Sequence, residues 1–412
     1  MEHIVITNQN SNVEVVDSAI ISKLAEEAQD CDASSNMTGN LQTTNAYEDD
    51  VDFLTTKFPG LSINATQGLY LRIADPAVQN ILATNFGDGT GITKTQAQSL
   101  QHFNYKFAGN TDIETFNELS KFTNITEINF NNRFNSCTNL KSIDLSNITK
   151  VSGSNGYERW NFENCIHLTN IGDTSNVTYI GKSAFNNCPL QGVIDFSNVT
   201  VFGHGALWQA RNPTVPADLS QCTIDPSKIV FIGNSAFCRC SSFSALSTIN
   251  FPNLESVSSY GESSTLDETF GDCTQIQHVQ SLGKITEIGN RFNEGCFSGC
   301  NNLLDVTLPE TLTKVLHSAI GPRPNLRYVK ILANSVPTYD LVDGFNNQHI
   351  YGFAFGEEYR QHDVTNTYEG ATYPIYVKDS LLSQYEAADG WKYVGPNRLR
   401  PLSQFATDFP ND

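Results

Sequence analysis

Basic residues are scarce in this sequence. Its 412 residues include 25 lysines and arginines against 44 aspartates and glutamates, which gives a formal net charge of -19 at pH 7. Binding to nucleic acid depends on clustered basic side chains, and so does binding to an anionic membrane surface. We therefore expect neither kind of partner. The acidity itself favours solubility and resistance to nonspecific association.

Long apolar runs are also missing. No stretch approaches the about 20 consecutive apolar residues that span a membrane, so we expect no membrane insertion. The first six residues, MEHIVI, contain neither a basic region nor a long apolar run, which argues against a secretory signal. We expect the chain either to stay in the cell that makes it or to leave by another route.

The sequence lacks the short motifs of common enzymes and metal sites. Its eight histidines are scattered, and it contains no His-Glu-x-x-His, Gly-x-Ser-x-Gly or Cys-x-x-Cys. Residues 87–91, GDGTG, lack the Gly-Lys-Ser/Thr of a phosphate loop and the ligand side chains of a calcium loop, so we interpret them as a turn between two helices. We expect no enzyme activity, no cofactor and no metal. A catalytic site assembled from distant residues is the alternative that the sequence leaves open.

Acidic residues are concentrated in the first 60 positions, which hold 11 acids against Lys23 and Lys57. There, Ile20, Leu24 and Ala28 have the spacing of a short helix that begins at position 17 or 18. The polar run 30–50 predicts an extended arm that a partner surface orders. We therefore interpret residues 1–67 as an acidic N-terminal arm with one short helix, which docks the chain onto other proteins of an assembly.

Residues 68–122 predict a helical N-terminal cap. Asp75-Pro76 is a strong helix start, and Thr93 with Gln96 matches a capping box for a second helix. A third short helix is expected around Phe116, Leu119 and Phe122.

Residues 123–335 repeat. One unit reads Phe134-x-x-Cys137-x-x-Leu140-x-x-Ile143-x-Leu145, and its skeleton returns with Cys165, Cys188, Cys240, Cys273 and Cys300 at the cysteine position. The Ile-x-Leu alternation predicts a short strand, and the Phe-x-x-Cys-x-x-Leu spacing predicts a helical or 3₁₀ turn. Because one such unit cannot bury its apolar face alone, stacked units must share a continuous core.

The same register explains two other recurrences. Cysteines at a fixed distance after an aromatic residue are expected to be buried and reduced rather than paired as disulfides. The Asn-x-Thr triplets at Asn147, Asn176 and Asn198 match a glycosylation acceptor. Their recurrence after each strand favours a turn role instead.

The phrases YIGKSAFNNC at 179–188 and FIGNSAFCRC at 231–240 resemble the I-G-x-x-A-F-x-x-C signature of BspA-like leucine-rich repeats. FAGNT at 107–111 is similar to the segment before such repeats in gut-bacterial surface proteins, and IYVKDS at 375–380 with RLRPL at 398–402 is similar to the closing segment. The resemblance covers about residues 70–406. It implies an α/β leucine-rich-repeat solenoid used for adhesion or recognition, with a helical N-terminal cap and a mixed C-terminal cap at 336–412.

Two surfaces are candidates for binding. The first is the strand face, where the residue between two inward positions points to solvent and aligns across repeats: Asn129, Asp144, Asp195, Asn250, Thr307 and Lys330. The second is the aromatic C-terminal region, with Tyr351, Phe353, Phe355, Tyr359, Tyr368, Tyr373 and Tyr376. That region is interpreted either as a cap over the last repeat or as a surface for carbohydrate or protein.

These observations favour a non-catalytic recognition protein in an oligomer or a larger complex. A recognition fold without an export signal fits a virion component of a phage that infects gut bacteria, such as a fibre, decoration or receptor-facing protein. The alternative is a bacterial cell-surface adhesin that binds a host protein or glycan.

Overall fold

A computed structural model describes residues 14–15, 18–29, 37–66, 68–151, 161–209, 216–255, 266, 268–289, 295–316, 319–321, 323–339, 342–344, 348–350, 354–355, 372–394 and 397–412. The chain divides into two units. Unit 1 is residues 1–101 with 115–125, and unit 2 is residues 102–114 with 126–412. Among the described helices, none has both the length and the apolar character needed to cross a membrane.

Unit 1 combines short parallel strands with helices. Its elements in chain order are β1 Glu14–Val15, α1 Ser18–Gln29, β2 Thr38–Thr43, β3 Ala46–Tyr47, α2 Glu48–Lys57, β4 Gly60–Ala65, β5 Leu69–Tyr70, α3 Pro76–Phe86, α4 Lys94–Ser99, β6 Thr115–Phe116 and a 3₁₀ helix Asn117–Lys121. Strands β1, β2 and β4 form one parallel sheet, and β3 pairs with β5. The helices α1 and α2 and the strands share a core that includes Ile21, Leu24, Leu41, Leu54 and Leu61.

The prediction of an extended arm over residues 30–50 is wrong for its described part, 37–50. Strand β2 pairs with β4 along its whole length, and α2 begins at Glu48. The error came from weighting the acidic composition over the apolar spacing. Val51 and Leu54 are buried one turn apart, which is the pattern of a helix that packs on a core. A segment with its own core needs no partner to order it.

The acidic first turn of α2 is neutralised inside unit 1. Three cations from later in the chain pair with it: Arg72 with Asp50 at 2.5 Å, Lys94 with Glu48 at 2.6 Å, and Lys121 with Asp49 at 3.1 Å. Carboxylates at a helix N-terminus are also stabilised by the helix dipole. These three acids therefore hold unit 1 together.

The predicted helix starts are confirmed. The Asp75 carboxylate accepts hydrogen bonds from the backbone N–H groups of Ala77 and Val78, and Thr93 and Gln96 form a capping box. Glycine is required at Gly87 in the turn between α3 and α4, because a Cβ there would lie 1.7 Å from the carbonyl oxygen of Gly91.

Unit 2 is the repeat region with its C-terminal cap. Its strands in chain order are β7 Glu127–Ile128, β8 Ser142–Ile143, β9 Lys150–Val151, β10 Tyr179–Ile180, β11 Ile194–Phe196, β12 Val201–Phe202, β13 Cys222–Ile224, β14 Phe231–Ile232, β15 Thr248–Asn250, β16 His278–Ser281, β17 Glu287–Ile288, β18 Asp305–Leu308, β19 Lys314–Val315, β20 Tyr328–Ile331, β21 Thr338–Tyr339, β22 Val342–Gly344, β23 Gln348–Ile350, β24 Ile375–Val377 and β25 Leu399–Pro401. The α-helices are α5 Leu382–Ala387 and α6 Phe405–Asp408. The 3₁₀ helices are Phe130–Asn132, Ser244–Leu246, Asp379–Leu381, Trp391–Tyr393 and Leu402–Gln404.

Each repeat contributes two strands rather than the single one that the sequence predicted. The first strand follows the Phe-x-x-Cys-x-x-Leu segment, and first strands form the parallel sheets β11-β13 and β15-β16-β18-β20, which β24 and β25 extend. The second strand is only two residues long, and second strands form the parallel sheets β7-β9-β10-β12-β14 and β17-β19-β21.

The repeated aromatic and cysteine side chains are the centre of the core. The Phe134 and Phe162 rings stack at 5.5 Å, and the Cys165 thiol donates to the Phe134 carbonyl oxygen at 3.1 Å. Backbone N–H groups of Cys165 and Leu168 bond to carbonyls three residues earlier, as in a 3₁₀ helix. The nine described cysteines are buried and free, and six of them occupy the register position for which burial was predicted: Cys137, Cys165, Cys188, Cys240, Cys273 and Cys300.

The Asn-x-Thr triplets serve the backbone, as predicted. The amides of Asn176 and Asn198 donate to the carbonyl oxygens of Ser146 and Ser175, each at 2.7 Å. The hydroxyl of the threonine two residues later bonds to the carbonyl of the equivalent threonine one repeat earlier, as Thr200 does to Thr178 at 3.2 Å.

The described aromatic residues of the C-terminal region lie in the hydrophobic core. Phe355, Tyr373 and Tyr376 are buried, and the Tyr373 hydroxyl donates to the carbonyl oxygens of Gly321 and Phe355. For these three residues the structure favours the cap over the binding surface. The other aromatic residues named for that surface lie outside the described residues: Tyr351, Phe353, Tyr359 and Tyr368.

Candidate functional site

The outer side of the first strands presents alternate residues to solvent. In β18, Val306 and Leu308 are fully buried while Thr307 between them is half-buried. Thr307 lies beside Lys330 of β20 in register, and Lys330 lies beside Tyr376 of β24. Thr307 and Lys330 of the predicted stripe are therefore neighbours on the outer side of one sheet, because a strand sends successive side chains to opposite faces. Asp195 lies in a separate sheet, β11-β13.

Two aspartates of the stripe are partly engaged in turns. The Asp144 carboxylate accepts from the backbone N–H and the hydroxyl of Ser146. Asp195 accepts from the N–H of Ser197 at 2.9 Å and from the Thr223 hydroxyl on the neighbouring strand at 3.0 Å. The hydrogen bonds from Ser197 lower the pKa of the Asp195 carboxyl. Both residues remain half-exposed, so each has a structural contact and a surface available to a partner.

The middle of the stripe is the most open. Asn250, at the end of β15, is exposed, and it pairs with Ser281 of β16 after a shift in register. Thr307 follows two strands further along the same sheet.

Lys330 is covered by the C-terminal segment. Its ammonium lies 3.5 Å from the centroid of the Phe405 ring and 5.1 Å from that of Tyr328. Burial lowers the pKa of this lysine. Phe405 packs with Tyr328 and Tyr376, and Phe409 joins them. Residues 402–409 therefore cover part of the strand face at its C-terminal end, and Lys330 beside them is half-buried.

Asn129 does not lie on this stripe, and its placement there was wrong. It follows β7, a second strand that pairs with β9 in the other sheet. The alternation Ile128-Asn129-Phe130 imitates the pattern of a first strand, and sequence alternation does not distinguish the two strand types. Instead, Asn129 caps the 3₁₀ helix Phe130–Asn132 by accepting from the backbone N–H of Asn131 at 3.0 Å.

The sequence also gave no indication of an exposed aromatic pair beside Asn129. Tyr105 and Phe130 are 50% and 43% exposed, and Arg133 lies over the Phe130 ring. Neither aromatic residue occupies the repeat register, so periodicity carried no signal for them.

No group of three or more His, Cys, Asp or Glu that could hold a metal ion occurs within the described residues.

A family model described as the BspA type leucine rich repeat region matches residues 98–213 and 217–340 in six copies. No curated protein matches the chain. Two solved structures are similar. The first is a leucine-rich repeat protein from Bacteroides ovatus, with 17% identity and a TM-score of 0.29, and the match covers 50% of this chain and 52% of that one. The second is a leucine rich cell surface protein from Faecalibacterium prausnitzii, with 20% identity and a TM-score of 0.22, and the match covers 52% of this chain and 73% of that one. The chain thus spans about half the length of the first structure.

Proposed function

Because this chain belongs to the BspA type leucine rich repeat family, we propose that it is a non-catalytic recognition protein whose first-strand face binds a partner protein. One observation carries the proposal. The outward residues of the first strands stand on a continuous buried core and vary from repeat to repeat, while the inward positions keep the same residue types. Such a scaffold changes its surface without changing its fold.

Asp195, Asn250 and Thr307 are the residues we assign to the centre of this face. A protein interface buries about 800 Å² on each partner, so a protein partner must contact several successive repeats. The binding energy should be concentrated near the centre of the contact. Lys330 is expected to contribute less, because its ammonium already packs on the Phe405 ring.

The proposal is tested by using the full chain as bait, with chemical cross-linking to map the contact. Cross-linked partner peptides should fall around β11, β15, β16 and β18. An Asn250→Lys, Thr307→Lys double variant should lose the partner, whereas Ile166→Ala, at a 37% exposed side chain in the turn after Cys165, should keep it. Cross-links restricted to unit 1 would contradict the assignment, and hydrolytic turnover by the purified chain would contradict a non-catalytic role.

The setting of this function is a finer proposal. We infer a virion component of a phage of gut bacteria, attached through the N-terminal segment 1–67, with a bacterial surface adhesin as the alternative. The support is that unit 1 has its own core and carries exposed acids such as Glu26 and Asp52 beyond those paired internally. Mass spectrometry of purified phage particles should detect the chain. Its recovery from surface-shaved bacteria, with none in particles, would favour the adhesin.

A further inference from the structure

The most exposed aromatic cluster in the described residues lies away from the first-strand face. The rings of Tyr105 and Phe130 meet at 5.3 Å between centroids with 63° between their planes. The guanidinium carbon of Arg133 lies 4.3 Å from the Phe130 centroid and 5.8 Å from that of Tyr105. Two aromatic side chains that keep about half of their surface in water, with a cation beside them, form what we call the aromatic corner.

Backbone hydrogen bonds between two segments hold the aromatic corner in place. The N–H of Tyr105 donates to the carbonyl of Asn131 at 2.7 Å, and the N–H of Gly109 donates to the carbonyl of Asn135 at 2.8 Å. The buried Asn132 side chain accepts from the N–H of Phe103 at 2.8 Å. Asn129 fixes the turn that presents Phe130. A ligand would therefore meet rings that are already positioned, which reduces the entropy lost on binding.

The backbone under Tyr105 is also in an unfavourable conformation. Asn104 and Tyr105 have φ values of 48° and 51°, in the left-handed region that a bulky residue rarely adopts. Buried Phe103 and Phe107 on either side anchor this turn beneath the surface. The fold thus maintains a strained turn that presents an aromatic ring to water, and backbone strain of this kind clusters at functional sites.

The two segments that build the corner are basic in an acidic protein. Residues 103–109 and 129–135 contain Lys106 and Arg133 and not one of the 44 acidic residues of the chain. The same two segments contain five asparagines, of which Asn104 is exposed. The group of ligands that fits is therefore anionic, with a flat apolar surface for the rings and hydroxyl groups for the amides.

The size of the corner discriminates between ligand classes. The corner consists of a few residues, whereas a protein interface has about 20–30 residues on each side. A surface of this size can contact one or two sugar units. We propose that the aromatic corner binds a saccharide carrying a carboxylate or sulfate, with the sugar C–H face on Tyr105 and Phe130 and the anionic group on Arg133. This site is independent of the protein-binding function proposed for the first-strand face.

An array of defined neutral, uronic-acid, sialylated and sulfated saccharides, probed with the labelled full chain, tests the proposal. Acidic members should bind, and Tyr105→Ala or Phe130→Ala should weaken that binding at least tenfold. Arg133→Gln should remove the preference for acidic over neutral members. Val193→Ala, also at an exposed apolar side chain, should bind like the wild type.

Thermal unfolding measured in parallel separates lost binding from lost folding. If Phe130→Ala does not fold, Tyr105→Ala alone decides, because its ring is the more exposed. The proposal is overturned if no saccharide on the array binds the wild type. It is also overturned if the corner variants bind saccharides like Val193→Ala, or if they lose a protein partner while saccharide binding is absent. Loss of the partner in Asn250 and Thr307 variants with saccharide binding intact supports two separate sites.

Discussion

The ring of Phe162 stacks on that of Phe185 with 5.3 Å between centroids and 2° between planes. On its other side it stacks on Phe134 at 5.5 Å and 9°. All three rings are fully buried. In these three successive repeats the phenylalanines at one position form a column of parallel rings, so the sequence repeat and the core have the same origin. Each ring is supported by both neighbours, which couples the stability of adjacent repeats.

Replacement of Phe162 by alanine should destabilise the repeats strongly. Removing a fully buried phenylalanine costs about 3–5 kcal/mol through lost apolar burial and the cavity that remains. Phe162→Leu keeps most of the volume and should cost less than about 1.5 kcal/mol. Urea denaturation followed by circular dichroism measures both. Val193→Ala, at an exposed site, should shift the unfolding free energy by no more than about 0.5 kcal/mol, and a similarly small effect of Phe162→Ala would contradict the column.

The repeat cysteines should be unreactive in the folded protein. Thiolate is the reactive form, and burial raises the pKa of Cys300 and of Cys238 to about 12. Alkylation at neutral pH, followed by mass spectrometry, should label the nine described cysteines only after denaturation. Detection of disulfide-linked peptides among them would contradict the buried, reduced assignment.

The same pKa shifts predict alkaline sensitivity. Unfolded cysteines lose a proton near pH 8.5, while buried ones keep it to about pH 12. Between these values the folded state binds more protons, so the free energy of unfolding falls as pH rises, by up to about 1.4 kcal/mol per pH unit for each thiol. Denaturation midpoints from pH 8 to 11 measure the slope. Cys300→Ala should make the fall of unfolding free energy with pH less steep, by the contribution of one thiol. An unchanged slope would mean that Cys300 does not contribute.

The repeat region was predictable because its signal is local and periodic. Phe162, Cys165 and Leu168 at intervals of three fixed both the turn and the buried face before any contact was known. Asn129 shows the limit of that method, since two-residue alternation occurs in both strand types and only pairing separates them. Lys330 shows another, because its partner Phe405 is 75 positions away in the sequence and carries no periodic relation to it.

In the N-terminal segment the predicted short helix is confirmed as α1, Ser18–Gln29, but the extended arm was mispredicted for a different reason. Composition describes the average surroundings of a segment, and Glu48, Asp49 and Asp50 made this one resemble a disordered arm. Their partners Lys94 and Lys121 come from outside the segment, so the pairing could not be read from it. The aromatic corner was missed because its exposed rings follow no repeat.

Arg398 should be essential to the C-terminal cap. Its buried guanidinium donates to three backbone carbonyls, those of Tyr373, Val394 and Phe355, at 2.9–3.0 Å. Arg398→Met removes three donors from a buried site and should lower the free energy of unfolding by about 3–5 kcal/mol. Arg327→Met is the matched control, because Arg327 pairs with Asp412 at the surface and should cost about 1 kcal/mol or less. Equal effects of the two variants, measured by thermal unfolding, would contradict a special role for Arg398.

Binding through the first-strand face should separate from folding at Asn250 and Thr307. These side chains are exposed and half-buried on top of fully buried neighbours, so their replacement by alanine should change stability by no more than about 0.5 kcal/mol. Their effect on the affinity for the partner identified by cross-linking should be larger, at or above about tenfold in Kd for a residue near the centre of a contact.

Asp195 adds a pH test. Its pKa is lowered in the folded state, so the carboxylate stays charged down to pH values below the ordinary aspartate range. A charge contact through Asp195 should therefore survive at about pH 4, where an ordinary aspartate is about half protonated, and be absent from Asp195→Asn. Calorimetric titration of the Asn250 and Thr307 variants beside the Tyr105 and Phe130 variants, against the same partner protein, decides between the surfaces. Wild-type affinity in the first pair together with lost affinity in the second would move protein binding from the first strands to the aromatic corner.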